Sequence, residues 1–206
     1  MNPAARGHGK GPKSTPLIYD GAVYTLGIAG RLSAYNLKSG KVLWQKQFGS
    51  QYKSASPLYG TAVSPIAVGG MLIAHVGGHN TGALTAFDPK TGAVKWKWAE
   101  DGLSYATPVV ATFGGVRQLF TQTQDAIAAF SLDGKLLWKI PFTTPYTQNI
   151  VTAIPYKRRS FCPATARKSS PSVQGRPGSK AGRLVLAPLQ PVSTYSSETS
   201  QPRVAT

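Results

Sequence analysis

The amino-acid sequence predicts an all-β chain: about three four-stranded antiparallel units, the start of a fourth, and a disordered C-terminal tail. Three observations predict it. One sequence pattern occurs three times, short apolar runs alternate with Gly/Pro/Asp/Asn turn signals, and the composition changes abruptly after Tyr156.

The repeated pattern is Ala86-Phe87-Asp88-Pro89-Lys90-Thr91-Gly92-Ala93-Val94-Lys95-Trp96. Ala34 to Trp44 matches it position for position, and Ala129 to Trp138 matches it with one residue fewer in the turn. Each copy reads as a β-hairpin. Asn36 or Asp88 opens the turn, where a side-chain oxygen can accept a backbone N–H, and Gly40, Gly92 and Gly134 suit a left-handed residue that closes it. Strict alternation after the glycine puts Val42 with Trp44, Val94 with Trp96 and Leu136 with Trp138 on one face. In the strand before the turn, Leu84 and Ala86 point one way and Phe87 the other. A strand apolar on both faces calls for a sheet packed between two others. The tryptophans are expected to be structural docking residues.

The remaining strands follow in order. The first unit, about 14–48, is read as strands at 14–19, 22–26, 31–36 and 41–48. The second, about 62–98, has strands at 63–68, 71–76, 83–88 and 93–98; the third, about 105–142, at 106–110, 116–122, 126–130 and 135–142. Asp20-Gly21, Gly69-Gly70 and Gly114-Gly115 supply the first hairpin turn of each unit. Thr15-Pro16, Ser64-Pro65 and Thr107-Pro108 stand at the openings, where a missing N–H is least damaging. A fourth unit starts at Ile150, and an insertion around Gly49 to Gly60 reads as a rim loop. The repeated tryptophans lie 52 and 42 residues apart, a spacing in the range of propeller blades.

Charge separates the chain into two materials. Residues 1–156 carry 14 Lys/Arg against 6 Asp/Glu, whereas residues 157–206 carry 9 against 1 in a third of the length. The tail holds six prolines and nine serines and reads as disordered. Codons can be chosen for Arg158 to Arg176 that, one frame over, encode two strands of a fourth unit, so the tail is also expected to be a frameshift product. Residues 1–13 are Gly/Pro/basic with no apolar core of a signal peptide, no run of apolar residues is long enough for a membrane helix, and the single Cys162 excludes an intrachain disulfide.

The Ala-aromatic-Asp/Asn-x-x-Thr/Ser-Gly-x-x-x-Trp repeat resembles the pyrroloquinoline-quinone (PQQ) repeat of quinoprotein-like β-propellers, over about residues 14–156. Gln45, Lys97 and Lys139 follow the tryptophans where a Trp-Asp repeat would show Asp. The resemblance implies a partial β-propeller and a larger parent protein of periplasmic or extracytoplasmic location. Its superfamily includes PQQ-dependent alcohol dehydrogenases and an outer-membrane assembly lipoprotein. The enzymatic branch would imply PQQ stacked on an aromatic beside Ca²⁺, with a catalytic aspartate and an adjacent-cysteine disulfide.

The residues present do not supply that set. Ca²⁺ takes about 6–8 oxygen ligands, and the repeats offer Asp20, Asp88, Glu100, Asp101, Asp125 and Asp133, of which three sit in turns. No catalytic or cofactor-binding residue is assigned. His75 and His79 are the sharpest metal candidates, since even spacing along an extended segment puts both on one side; Gly77-Gly78 are expected to break that strand, and a hydrogen-bonding role in a rim loop is the simpler reading. Gln122, Gln124 and Asp125 end a strand with polar groups and are candidates to face a pocket. The lysines recur with the hairpins, as a solvated rim would.

Three functions follow: a non-catalytic binding or scaffold propeller with protein partners, which fits best; a piece of a PQQ-dependent alcohol or sugar dehydrogenase; and, weakest, a basic nucleic-acid binder. The last needs clustered cations and free aromatics, whereas the aromatics here are committed to the core.

Overall fold

The computed structural model describes residues 9, 11–48, 51–52, 56–113, 115–145, 148–156, 159–164 and 183–188. The expected N-terminal segment therefore lies mostly outside the described residues, as does part of the 49–60 insertion. Strands β1 (Leu17–Tyr19), β2 (Ala22–Leu26), β3 (Leu32–Asn36) and β4 (Val42–Lys46) form one antiparallel sheet in sequence order. The second is built from β5 (Ile66–Val68), β6 (Met71–Gly78), β7 (Thr81–Phe87) and β8 (Val94–Trp98). The third contains β9 (Val109–Phe113), β10 (Val116–Gln122), β11 (Ala126–Phe130) and β12 (Leu136–Pro141). This is a partial β-propeller of three four-stranded blades. No helix among the described residues is long and apolar enough to cross a membrane.

Each sheet begins one residue after a proline, at Leu17, Ile66 and Val109. The expected openings at Ser14, Val63 and Ala106 are thus too early. Proline has no N–H to give the ladder, so pairing starts only beyond it. The Ser/Thr before each proline makes a different bond. The Thr15 N–H donates to Ser64 Oγ (2.9 Å), the Ser64 N–H to Thr107 Oγ1 (3.1 Å) and the Thr107 N–H to Thr152 Oγ1 (3.2 Å). Equivalent positions of successive units are linked in one line, and Thr152 places the start of the fourth unit in the same line.

The hairpin turns follow the expected chemistry. Asn36 Oδ1 accepts from the N–H groups of Lys38 and Ser39, and Asp88 Oδ1 from those of Lys90 and Thr91. Asp20-Gly21 and Gly69-Gly70 both have positive φ at the two turn positions (46° and 73°, 57° and 71°), the form that matches the strand twist.

The expected shared face of Val42 with Trp44, and its counterparts, is incorrect. Ala34 pairs with Trp44 but Tyr35 pairs with Val42, and the same register shift falls between Ala86 and Phe87 and between Ala129 and Phe130. One extra residue (Leu43, Lys95, Leu137) forms a β-bulge that reverses the alternation. Trp44, Trp96 and Trp138 therefore share the face of the alanine opposite. Val42, Val94 and Leu136 face the other way and are exposed.

Packing divides the residues of the middle sheet between two cores. Leu72, Ala74, Val76 and Phe87 join Ala22, Tyr24, Leu26, Leu32 and Ala34 of the first sheet. Ile73, Leu84, Ala86 and Trp98 join Leu119, Ala128 and Phe130 of the third. Phe120, Ile127 and Ala129, on the far face of the third sheet, pack with Ala153 of the fourth unit. The first two indoles contact the turn of the following unit. Trp44 Nε1–H donates to the Pro89 carbonyl (2.9 Å) and Trp96 Nε1–H to the Leu132 carbonyl (3.1 Å). The rings lie against Gly92 and Gly134: a Cβ would stand 2.9 Å from Trp44 Cδ2 in the first case and 2.5 Å from Trp96 Cδ2 in the second. Both glycines have left-handed φ, at 69° and 89°. Trp138 instead donates to Gln118 Oε1 of its own sheet (2.8 Å).

Within the tail expected to be disordered from residue 157, the structure places two strands. β13 (Ile154–Tyr156) pairs antiparallel with β14 (Arg159–Ala164), which pairs parallel with β15 (Arg183–Pro188). The other tail positions lie outside the described residues.

Two outcomes test this packing. Gly134→Ala should cost more stability in denaturant titrations than Gly40→Ala. Both incur the left-handed penalty of about 1 kcal/mol, but the Gly40 position has nothing within 4 Å whereas Gly134 meets an indole. Ser64→Ala should lose about 1 kcal/mol because the Thr15 N–H loses its acceptor, with faster amide exchange at Thr15 as the direct readout.

Candidate functional site at the polar ends of the second and third sheets

Several of the buried polar side chains among the described residues, Asp101, Thr123, Gln124 and Asn149 among them, gather where strands end. Asp101, in the connection after β8, is buried and accepts three hydrogen bonds: the Gly102 N–H on Oδ1 (2.7 Å), and Thr123 Oγ1–H (2.5 Å) and the Asp125 N–H (3.2 Å) on Oδ2. A carboxylate so surrounded holds the β10–β11 turn against the connection between the second and third sheets. Gln124 ties the same turn to the β6–β7 turn. Its Oε1 accepts from the Asn80 N–H (2.6 Å) and its Nε2 donates to Asn80 Oδ1 (2.7 Å). Asn80 has φ of 61°, which an asparagine tolerates better than most residues.

Asn149 does the same work for the fourth unit. Its Nδ2 donates to the carbonyls of Thr123, Gln124 and Phe142, its Oδ1 accepts from Thr144 Oγ1, and its own carbonyl accepts from the Tyr105 N–H. Sequence reasoning passed over Asn149 and Asn80, and weighed Asp101 only as a possible Ca²⁺ ligand. One signal was available: Thr61, Ser104 and Asn149, all buried, each stand three residues before Ser64, Thr107 or Thr152. Of the three side chains, Asn149 joins units, Ser104 Oγ donates to the Gln122 carbonyl of its own unit, and Thr61 Oγ1 has no hydrogen-bond partner among the described residues.

The residues selected from sequence fall around this network. Gln122 and Gln124 are buried while Asp125 is exposed. Gln124 uses both ends of its amide on Asn80, and Gln122 Nε2 is buried without a hydrogen-bond partner. Gly77-Gly78 do not break the strand as expected: β6 continues through Gly78, because Gly77 and Gly78 pair with Gly82 and Thr81. His75 is buried within β6, and His79 lies in the turn that follows. Burial lowers the pKa of both imidazoles, to about 4 for His75, against the opposing fields of Asp101 and Asp125 respectively. The His79 ring lies edge-on to Tyr105 at 5.9 Å.

The carboxylates do not form a Ca²⁺ ligand set. Asp88 binds its own turn and Lys95 (3.6 Å), and its pKa is held down first by the Thr91 N–H. Asp133 is engaged by Ser131 Oγ and Lys135. Asp101 is committed as described. Among the described residues no three His, Cys, Asp or Glu side chains are grouped to hold a metal ion. The residues present therefore do not fit the PQQ–Ca²⁺ pair of the enzymatic branch.

Comparison with known proteins agrees with this architecture. The family described as "Outer membrane protein assembly factor BamB", a PQQ-repeat family, matches residues 2–158. The match stops where the composition changes. The chain is similar to outer membrane protein assembly factor BamB of Yersinia pestis (47% identical over 36 residues, 18% of this chain and 9% of that protein) and of Alteromonas naphthalenivorans (37% over 43 residues, 21% and 10%). Only about a tenth of the length of these relatives is matched. Among solved structures, quinohemoprotein alcohol dehydrogenase from Comamonas testosteroni shares the fold (TM-score 0.51, 19% identity, 68% of this chain and 29% of that one). BamB from Moraxella catarrhalis aligns with a TM-score of 0.49 at 17% identity, over 67% and 38% of the two chains. By its repeats, its sheets and the family match over most of its length, the chain belongs to the PQQ-repeat family of outer membrane protein assembly factor BamB.

Proposed function

We propose that the chain is part of a non-catalytic scaffold propeller that presents its rim to protein partners in outer-membrane protein assembly, on the periplasmic side of the cell envelope. One observation carries this reading. Three of the buried polar side chains at the strand ends are spent on joining units: Asp101 on Thr123 and Asp125, Gln124 on Asn80, and Asn149 on three carbonyls. The family to which the chain belongs is described as an assembly factor, which supports the same reading.

In this proposal Trp44 and Trp96 are docking residues. Each indole spans two units, donating to the carbonyl that follows Asp88 or Ser131 and covering the glycine that closes the turn. Asp88, Gly92 and Gly134 shape the turns for that contact, Asn36 and Gly40 shape a turn of the same form with nothing against Gly40, and Trp138 would meet the corresponding turn of a complete fourth blade. A scaffold of this kind needs stiff joints between blades, so that rim loops keep fixed spacing.

Two measurements decide it. Titration with PQQ in the presence of Ca²⁺ should show no saturable complex and no dye-linked oxidation of ethanol. A 1:1 complex that reduces the dye would replace the scaffold by a dehydrogenase fragment. Trp96→Ala should lower stability by about 2 kcal/mol, less than for a fully buried ring, and open both the second and third units to limited proteolysis. An unchanged cleavage pattern would remove the docking role.

A further inference from the structure

His75 stands apart from the satisfied network. It is fully buried in β6, the face it shares with Ile73 looks onto the third sheet, and neither ring nitrogen has a hydrogen-bond partner. Across the ladder its neighbours on that face are Leu84 and then Trp98, whose Nε1 is likewise buried without a partner. The opposing surface carries Leu119, Ala128 and Phe130, with Phe130 edge-on to Trp98 at 5.0 Å, and the buried Thr121, whose hydroxyl is directed to the Ala106 and Gln122 carbonyls. Two charged groups reach this seam, and a second imidazole lowered by burial, His79, lies in the turn after β6 against Tyr105. Asp101 acts on His75 from the connection after β8, and Lys139 of β12 stands 5.3 Å over the Trp98 ring. Asp101 is the one carboxylate among the buried described residues, and it is already bound by three donors.

A neutral imidazole between two sheets is tolerated at the cost of its unmet hydrogen bonds. A charged one is not, because a desolvated cation without a bonded counter-ion is far costlier. We propose that His75 is an acid-sensitive latch, and that its protonation opens the seam between the second and third sheets. In the closed seam burial outweighs the Asp101 field and holds the imidazole neutral down to about pH 4. Once opened to water, the ring regains an ordinary value near 6.5. Between these limits the open form binds the proton and the closed form does not. Seam stability therefore rises with pH across the window and is lost as pH falls from about 6.5 towards about 4. At pH 5 the opening equilibrium should be favoured roughly 30-fold over neutral pH. The first sheet faces Leu72, Ala74 and Val76 on the opposite side of β6 and is outside the latch. Opening would alter the angle between two blades, and with it the spacing of the rim loops, without unfolding either sheet.

The test is hydrogen exchange on the full chain at pH 7.5 and pH 5.0, corrected for intrinsic exchange. In the wild type, amides of β6, β7, β10 and β11 should show the roughly 30-fold rise in opening, and those of β2 and β3 should not. With His79→Gln as the common background, which removes the other imidazole lowered by burial, His75→Leu fills the same face without a titratable group and should abolish the rise. If that variant folds poorly, His75→Gln remains polar but cannot protonate and should be equally flat. The His75 ring resonance should also titrate far below 6.5 in the folded protein. An acid response retained in both variants, or a His75 midpoint near 6.5 with the seam closed, overturns the proposal.

Discussion

Everything in this chain depends on a sheet that is apolar on both faces. Along β7 no residue from Gly82 to Phe87 is exposed, with Leu84 and Ala86 directed to one neighbour and Phe87 to the other. Such a sheet loses its hydrophobic stabilisation on one side if either flanking sheet is absent. Repetition is the simplest answer, since each unit supplies the surface its neighbour lacks. The half-exposed outer strands β4, β8 and β12 mark the limit of that burial.

Apolar faces alone would leave blades free to slide, because dispersion and desolvation are weakly directional. Two sets of polar contacts give them register. At one edge the line from Thr15 through Ser64 and Thr107 to Thr152 fixes equivalent positions with one hydrogen bond per joint. At the opposite edge of the sheets an indole N–H reaches a turn carbonyl across each of the first two joints. The bulge at Leu43, Lys95 and Leu137 is what makes the second set available, because without it the indoles would face the other way. The polar ends around Asp101, Gln124 and Asn149 then close the connections. His75, like Trp98 Nε1 beside it, is a polar group placed in an apolar joint with no hydrogen-bond partner among the described residues.

The repeat, the turn chemistry and the two-faced middle sheet were legible in the residues, because each depends on neighbours in sequence or on a period that local backbone geometry imposes. Asn36 and Asp88 cap their own turns, and the glycines adopt the left-handed form those turns need. Other features were settled only by the folded chain. The bulge is set by pairing with β3, β7 and β11, so the alternation read from one strand put Val42, Val94 and Leu136 on the wrong face. The continuation of β6 through Gly77-Gly78 comes from pairing with Thr81 and Gly82, against their weak local preference. That Gln124 meets Asn80, 44 positions away, was likewise set only by folding. By itself the sequence determined which surfaces must be covered, since hydrophobicity and turn geometry are local. Tertiary structure decided which polar groups meet and which, like His75, are left alone, since a hydrogen bond needs two partners that only folding brings together.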